Sequence, residues 1–126
     1  MPAAVQAPDG ATARPQLWRI TDRRTFQALR RSRRRVRRGP LTITWMPPEP
    51  GSPGPPRVGF AVGRATGGAV TRNRVRRRLR AALRELLVGG RLPAGTYLVG
   101  ATADVATMPW SALVPALEAA VAEVTA

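Results

Sequence analysis

Apolar residues recur along this chain with two periods, and the places where one period gives way to the other mark out the elements. Thr21 or Asp22 can cap a helix, because either side-chain oxygen accepts a free N-terminal N–H, and Phe26 and Leu29 then share a face with Ile20 and Arg30 nearby. This predicts a first helix from about Asp22 to Arg31. Leu41-Thr42-Ile43-Thr44-Trp45 alternates apolar with polar residues, the period-two mark of a half-buried strand. The stretch PPEPGSPGPP behind it forms only an irregular connection, so a hairpin with a long Pro-rich loop is expected. The returning strand is Arg57-Val58-Gly59-Phe60-Ala61-Val62, with Val58, Phe60 and Val62 on a core face and Arg57, Gly59 and Ala61 on a small, open one.

Gly67-Gly68 then breaks the chain before a long helix, from Ala69 or Thr71 to Val88, in which Val75, Leu79, Ala82, Leu83 and Leu86 recur at helical spacing. Gly89-Gly90 stops it. Tyr97 to Ala101 reads as a third strand, and Trp110 to Val124 as a closing helix interrupted early by Pro115, with Ser111 able to cap it. The run SRRRVRRG at 32–39 ends in a Gly39-Pro40 stop and reads as a solvated arm. Residues 1–16 mix Ala, Pro and Gly without periodicity and are expected to be a disordered extension, leaving 17–126 as a single domain. The order is αββαβα: an α+β fold in which helices pack on a short sheet.

Composition narrows the function. The chain has 126 residues, a size that closes one core, and a formal charge of +14 carried wholly by Arg, with no Lys, His or Cys. Zinc sites on Cys or His, Cys and Ser-His nucleophiles, Schiff-base lysines and the P-loop lysine are therefore excluded. The seven acids are scattered, so neither acid–base pairing nor a two-metal nuclease is indicated. Nothing approaches a membrane-spanning run, no secretory signal opens the chain, and cytoplasm is the expected location.

The charge is also unevenly placed. Residues 19–38 hold ten Arg against one acid and residues 64–84 eight Arg against none, whereas 85–126 hold one Arg against four acids. Arg72, Arg74, Arg76, Arg77, Arg80 and Arg84 ring the polar face of the long helix, whose other face is apolar. Guanidinium forks pair phosphates bidentately, so this helix suits structured RNA or DNA. A merely soluble helix surface interleaves acids at i,i+4 spacing, and here only Glu85 opposes the arginines. A membrane-surface helix is the competing reading and needs a broad apolar face free to insert.

The stretch Arg57-Val-Gly-Phe-Ala-Val62, followed by Gly67-Gly-Ala-Val-Thr-Arg-Asn-Arg-Val-Arg-Arg-Arg-Leu-Arg80, resembles the protein subunits of bacterial ribonuclease P over about residues 17–124. The resemblance implies an αβββαβα-type fold with a small mixed β-sheet and a left-handed βαβ crossover. It also implies an accessory role in a ribonucleoprotein endonuclease, whose RNA removes the 5′ leader of precursor tRNA with Mg2+. Mg2+ is expected to be held mainly by that RNA and none by the protein alone. The expected partners are the catalytic RNA and precursor tRNA, with no membrane and no protein partner.

Carried over by position, Arg72, Asn73, Arg74, Arg76, Arg77 and Arg80 fall on the helix that binds the catalytic RNA. Phe26, Arg30, Thr44 and Arg57 fall on the cleft that binds the leader. Phe26 has two roles open to it, a core residue beside Ile20 and Leu29 or a stacking platform; Arg30 stands where relatives often carry a second aromatic and can stack or grip a phosphate. Phe60, Trp45, Trp110 and Tyr97 read as core or sheet-edge aromatics. Arg64-Ala65 and Thr102-Ala103 depart from basic pairs common in the family. The alternative is a generic basic RNA-binding protein, associated with ribosome or nucleoid, without a role in cleavage.

Overall fold

The computed structural model describes residues 17–51 and 54–126; the expected extension at 1–16 lies outside them. The elements are β1 (Trp18–Arg19), α1 (Arg23–Arg31), β2 (Arg35–Arg38), β3 (Leu41–Met46), β4 (Arg57–Ala61), α2 (Ala69–Val88), β5 (Thr96–Ala101) and α3 (Trp110–Thr125), with 3-10 turns at Arg64–Thr66 and Ala103–Ala106. One mixed sheet carries all five strands in the order β1-β4-β5-β3-β2. The fold is thus α+β and, apart from the short β1, runs αβββαβα.

Two departures from the sequence reading share one cause, pairing between segments distant in sequence. The arginine run is not an arm: Arg35–Arg38 forms an edge strand antiparallel to β3, joined to it by a two-residue turn in which Gly39 takes a left-handed φ of 54°. Gly39-Pro40 is therefore a hairpin turn rather than a helix stop. Nor do β3 and β4 form a hairpin. β5 lies between them, antiparallel to β3 and parallel to β4, and α2 makes the β4–α2–β5 crossover. β1 adds a short parallel edge to β4, registering Trp18 with Arg57.

Alternation sorts the sheet's side chains. Leu41, Ile43, Trp45, Val58, Tyr97 and Val99 point to one face, where they meet Val75, Leu79, Ala82, Leu83 and Leu86 of α2 and Leu113, Leu117, Ala120, Val121 and Val124 of α3 in one core. The five α2 residues are those the helical spacing selected. On the opposite face α1 seats Leu29 and Phe26 against Ile20, Leu98 and Met46. Helix α1 starts as expected: Asp22 is the cap, accepting from the Thr25 backbone N–H at 2.9 Å and from its hydroxyl.

Ser111 does not cap α3; Pro109 occupies that position, its carbonyl accepting from Ala112 and Leu113. Pro115 does not interrupt the helix either. It lies on the exposed side, where solvent reaches the Ser111 carbonyl that a proline N–H cannot serve. The far end of α3 is closed by Arg34, which reaches across to donate to the carbonyls of Val124 and Ala126 while lying over the Trp45 ring at 4.8 Å.

Candidate nucleic-acid interface

Two charged surfaces flank the sheet. The first belongs to α2, which is 20 residues long and so about 30 Å from end to end. At 100° per residue the arginines of this helix divide into two rows on either side of the apolar stripe. Asn73, Arg76, Arg77, Arg80 and Arg84 follow i,i+3 and i,i+4 spacing along one flank; Arg74 and Arg78 lie on the other.

The first row, extended by Arg19 from β1 and centred on exposed Val70, encloses a shallow hollow of about 600 Å³ lined by Arg19, Val70, Asn73, Arg76, Arg77 and Arg80. Arg76 is held in place, donating to Asn73 Oδ1 at 3.1 Å and to the Val62 carbonyl at 3.0 Å. Arg80 lies over the Phe60 ring at 5.3 Å. Its pKa is lowered, chiefly by burial and then by the charges of Arg19 and Arg84, so an anion placed here relieves a repulsion already present.

The second row is structural. Arg74 Nε donates to the Ala106 carbonyl at 2.8 Å, and Arg78 donates to the carbonyls of Val105 and Met108 while lying 5.7 Å from the Trp110 ring. These bonds tie the 103–108 segment to α2. Trp110, expected as a core or sheet-edge aromatic, is exposed at the start of α3 and donates its indole N–H to Glu85 at 3.4 Å. Of the residues assigned to the RNA-binding helix, then, Asn73, Arg76, Arg77 and Arg80 share one hollow, Arg74 faces the other way, and Arg72 lies at the margin of the apolar stripe, its Nε buried.

None of the α2 arginines is neutralised by a carboxylate among the described residues. The ion pairs there are Asp22 with Arg57, Glu123 with Arg38 and Glu118 with Arg91. The acids of the chain's last third serve α3 and its neighbours, and the Asn73–Arg84 row has no carboxylate partner among the described residues.

The second surface is the sheet face that α1 leaves uncovered. Its floor is made of small residues, Thr42, Thr44, Ala61 and Gly100; Arg35 and Arg37 of β2 form one wall and Ala65, Thr66 and Thr102 the other, enclosing about 360 Å³. The four residues assigned to leader binding spread over three places. Phe26 and Arg30 line a hollow on α1 with Thr21, Arg23 and Gln27. Thr44 lies in the sheet groove, buried and accepting from Arg35 Nε at 3.1 Å. Arg57 lines a third hollow with Trp18, Arg24 and Met46, where its guanidinium is engaged by Asp22 at 3.0 Å.

Phe26 takes the packing role beside Ile20 and Leu29 and keeps part of its surface exposed. Its ring fills the space over Gly59, so close that a Cβ there would stand 2.7 Å from it, yet the residue remains partly exposed in its own hollow. Arg19, Arg35, Arg37 and Arg78 were not singled out from the sequence. For Arg35 and Arg37 the signal was present, since Arg-Val-Arg-Arg alternates about Val36 as a strand does.

A small α+β domain with a helix of unneutralised arginines on one side of its sheet and an arginine-walled groove on the other defines a class, the folded nucleic-acid-binding proteins. The comparisons narrow it. The family model described as Ribonuclease P matches residues 15–125. The ribonuclease P protein component of Thermobifida fusca is 41% identical over 113 residues, spanning 85% of this chain and 76% of that protein; the one from a Nocardioides species is 43% identical over 81 residues, 64% and 68% of the two chains. The solved ribonuclease P protein of Thermotoga maritima superposes with a TM-score of 0.68 at 19% identity, over 82% of this chain and 94% of that one. A Staphylococcus aureus ribonuclease P protein mutant, described as defective in mRNA degradation activity, gives 0.69 at 20% identity, over 82% and 84%. The chain belongs to the ribonuclease P protein family.

Proposed function

We propose that this chain is the protein subunit of ribonuclease P, which binds the catalytic RNA through α2 and the 5′ leader of precursor tRNA through the opposite sheet face, assisting removal of the leader. The observation that carries the reading is the family match, which spans all but the ends of the chain. The separation of two basic surfaces by one sheet supports it. An accessory subunit that holds two RNAs at once needs two faces, and structured RNA suits a long helix whereas an extended strand suits a narrow groove.

In this division of labour Asn73, Arg76, Arg77 and Arg80, with Arg19, meet the phosphates of the catalytic RNA, Arg72 lies at the edge of that surface, and Arg74, facing the other way, ties the 103–108 segment to α2. Phe26 and Arg30 meet the leader, Thr44, itself buried, acts through Arg35, and Arg57 acts through Asp22 to hold the start of α1. Magnesium belongs to the RNA. Among the described residues no three of His, Cys, Asp or Glu converge. No helix among the described residues is long and apolar enough to cross a membrane, and the reading places the chain in the cytoplasm with tRNA processing.

The deciding experiment is multiple-turnover cleavage of a leader-bearing precursor tRNA at low Mg2+, comparing protein alone, a bacterial ribonuclease P RNA alone, and both. Cleavage that requires both supports the proposal. Cleavage by the protein alone overturns the division of labour, and tight RNA binding without stimulation hands the chain to generic RNA-binding proteins.

A further inference from the structure

Strand β2 carries its arginines to two different destinations. Val36 packs against the core and Arg38 pairs with Glu123 on the α3 side, whereas Arg35 and Arg37, one step out of phase, turn to the groove. There they are exposed and, among the described residues, are the only charged ones lining it. The facing wall, Ala65, Thr66 and Thr102, carries no charge. The groove is therefore electrostatically one-sided: a nucleic-acid strand lying in it gains by turning its phosphates to β2 and its bases toward the floor and the neutral wall.

Spacing sharpens the point. Residues two apart on a strand are separated by about 6.8 Å, close to the distance between successive phosphates of an extended single strand. Arg35 is also preoriented, since its Nε donates to the buried Thr44 hydroxyl and leaves the two terminal nitrogens of the fork for an anion. Gly100 and Ala61 keep the floor low enough for bases to lie on it.

We infer that Arg35 and Arg37 hold two consecutive phosphates of the precursor leader, so that the leader backbone runs along β2 with its bases over Gly100. The inference rests on the leader-binding reading above, and its test separates the two. Holoenzyme is assembled with a bacterial ribonuclease P RNA and titrated with precursor tRNAs in which one neutral methylphosphonate linkage is walked through the leader. Wild type, the double variant Arg35→Gln/Arg37→Gln, and Arg38→Gln, whose side chain lies on the other face, are compared, and thermal melting verifies that each is folded.

The wild-type enzyme is expected to lose affinity, about threefold each, at two adjacent linkages, as removal of single phosphate contacts implies. In the double variant those linkages become silent and affinity for the leader-bearing substrate falls about tenfold, with a log–log salt slope shallower by about 1.4. Binding of tRNA without a leader is unchanged, and Arg38→Gln follows the wild type. A double variant that keeps the wild-type linkage profile, or that loses leaderless tRNA equally, overturns the inference while leaving leader binding intact. A wild-type enzyme indifferent to the leader removes the leader-binding reading, and this inference with it.

Discussion

Gly59 sits beneath the Phe26 ring, and the geometry there predicts what a single methyl group would do. A Cβ at Gly59 would lie 2.7 and 2.8 Å from two ring carbons of Phe26 and 3.2 Å from Ile20 Cδ1. The first two distances are too short to persist, so in Gly59→Ala the ring must leave its seat. Overpacking of this kind costs about 1–3 kcal/mol. Against it, replacing a strand glycine by alanine returns about 0.5–1 kcal/mol of chain entropy. The net expectation is a loss of about 1–2 kcal/mol, or a midpoint lower by roughly 4–8 °C.

The same substitution in a Phe26→Ala background meets no ring. There Gly59→Ala should be neutral or stabilising by up to about 1 kcal/mol, which gives a coupling energy of about 1–3 kcal/mol between the two positions. Urea unfolding of the four proteins of this cycle measures it. If Gly59→Ala costs the same with and without the ring, or costs nothing in the wild type, the glycine is not there to admit Phe26 and the packing argument for α1 on the sheet fails.

Other expectations follow from the remaining contacts. Arg77→Gln should make the salt dependence of binding to the catalytic RNA shallower by about 0.7–0.9 in log–log slope without moving the melting midpoint, whereas Arg78→Ala, which frees two backbone carbonyls, should cost about 1.5–3 kcal/mol of stability; thermal melts and salt titrations on both variants separate the two rows of α2. Tyr97 is the only tyrosine, and its buried hydroxyl donates to the Pro93 carbonyl at 2.6 Å. Burial raises its pKa above the ordinary 10.0, so the neutral phenol's contribution is complete below pH 10 and is lost as pH rises beyond it. Phenolate absorbance should appear only together with alkaline unfolding, and an earlier rise would place the ring in solvent. At the acid end, the Thr25 hydroxyl and N–H, with help from Arg57, hold the Asp22 carboxyl below its usual 3.8. Its contribution is present above that value and lost as pH falls through the lowered pKa, so Asp22→Asn, which keeps a capping oxygen but cannot titrate, should flatten that part of the acid unfolding curve followed by circular dichroism.

What could be read from the chain alone was what its own neighbours decide. The five buried residues of α2 repeat at helical spacing within one element, the strands read at 41–45 and 57–62 alternate within a few residues, and 97–101 is a short apolar run, so local pattern was enough. β2 escaped because three of its four residues are Arg. Its strand conformation comes from pairing with β3 and from Arg38 meeting Glu123, a partner 85 positions away. The false hairpin between β3 and β4 arose in the same way, since nothing within either strand announces that β5 will lie between them. The α2 arginines were legible as a charged face but not as two rows, because the second row is defined by the carbonyls of 105, 106 and 108 rather than by anything in the helix. The ion pair of Arg57 was invisible for a similar reason: its carboxylate partner lies 35 residues upstream.

The central place of β5 also bears on how the molecule is made. β3 and β4 both depend on a strand that leaves the ribosome after them, with the whole of α2 in between, so the sheet stays split into two open halves until residue 101 has emerged. Most of its pairings are long-range, which slows folding and prolongs the interval in which bare strand edges are exposed. During that interval the nascent chain is already densely positive, and like charge discourages two such chains from joining edge to edge. The arginines of β2 thus serve the protein before any RNA arrives, as its own safeguard against aggregation on the way to the folded state.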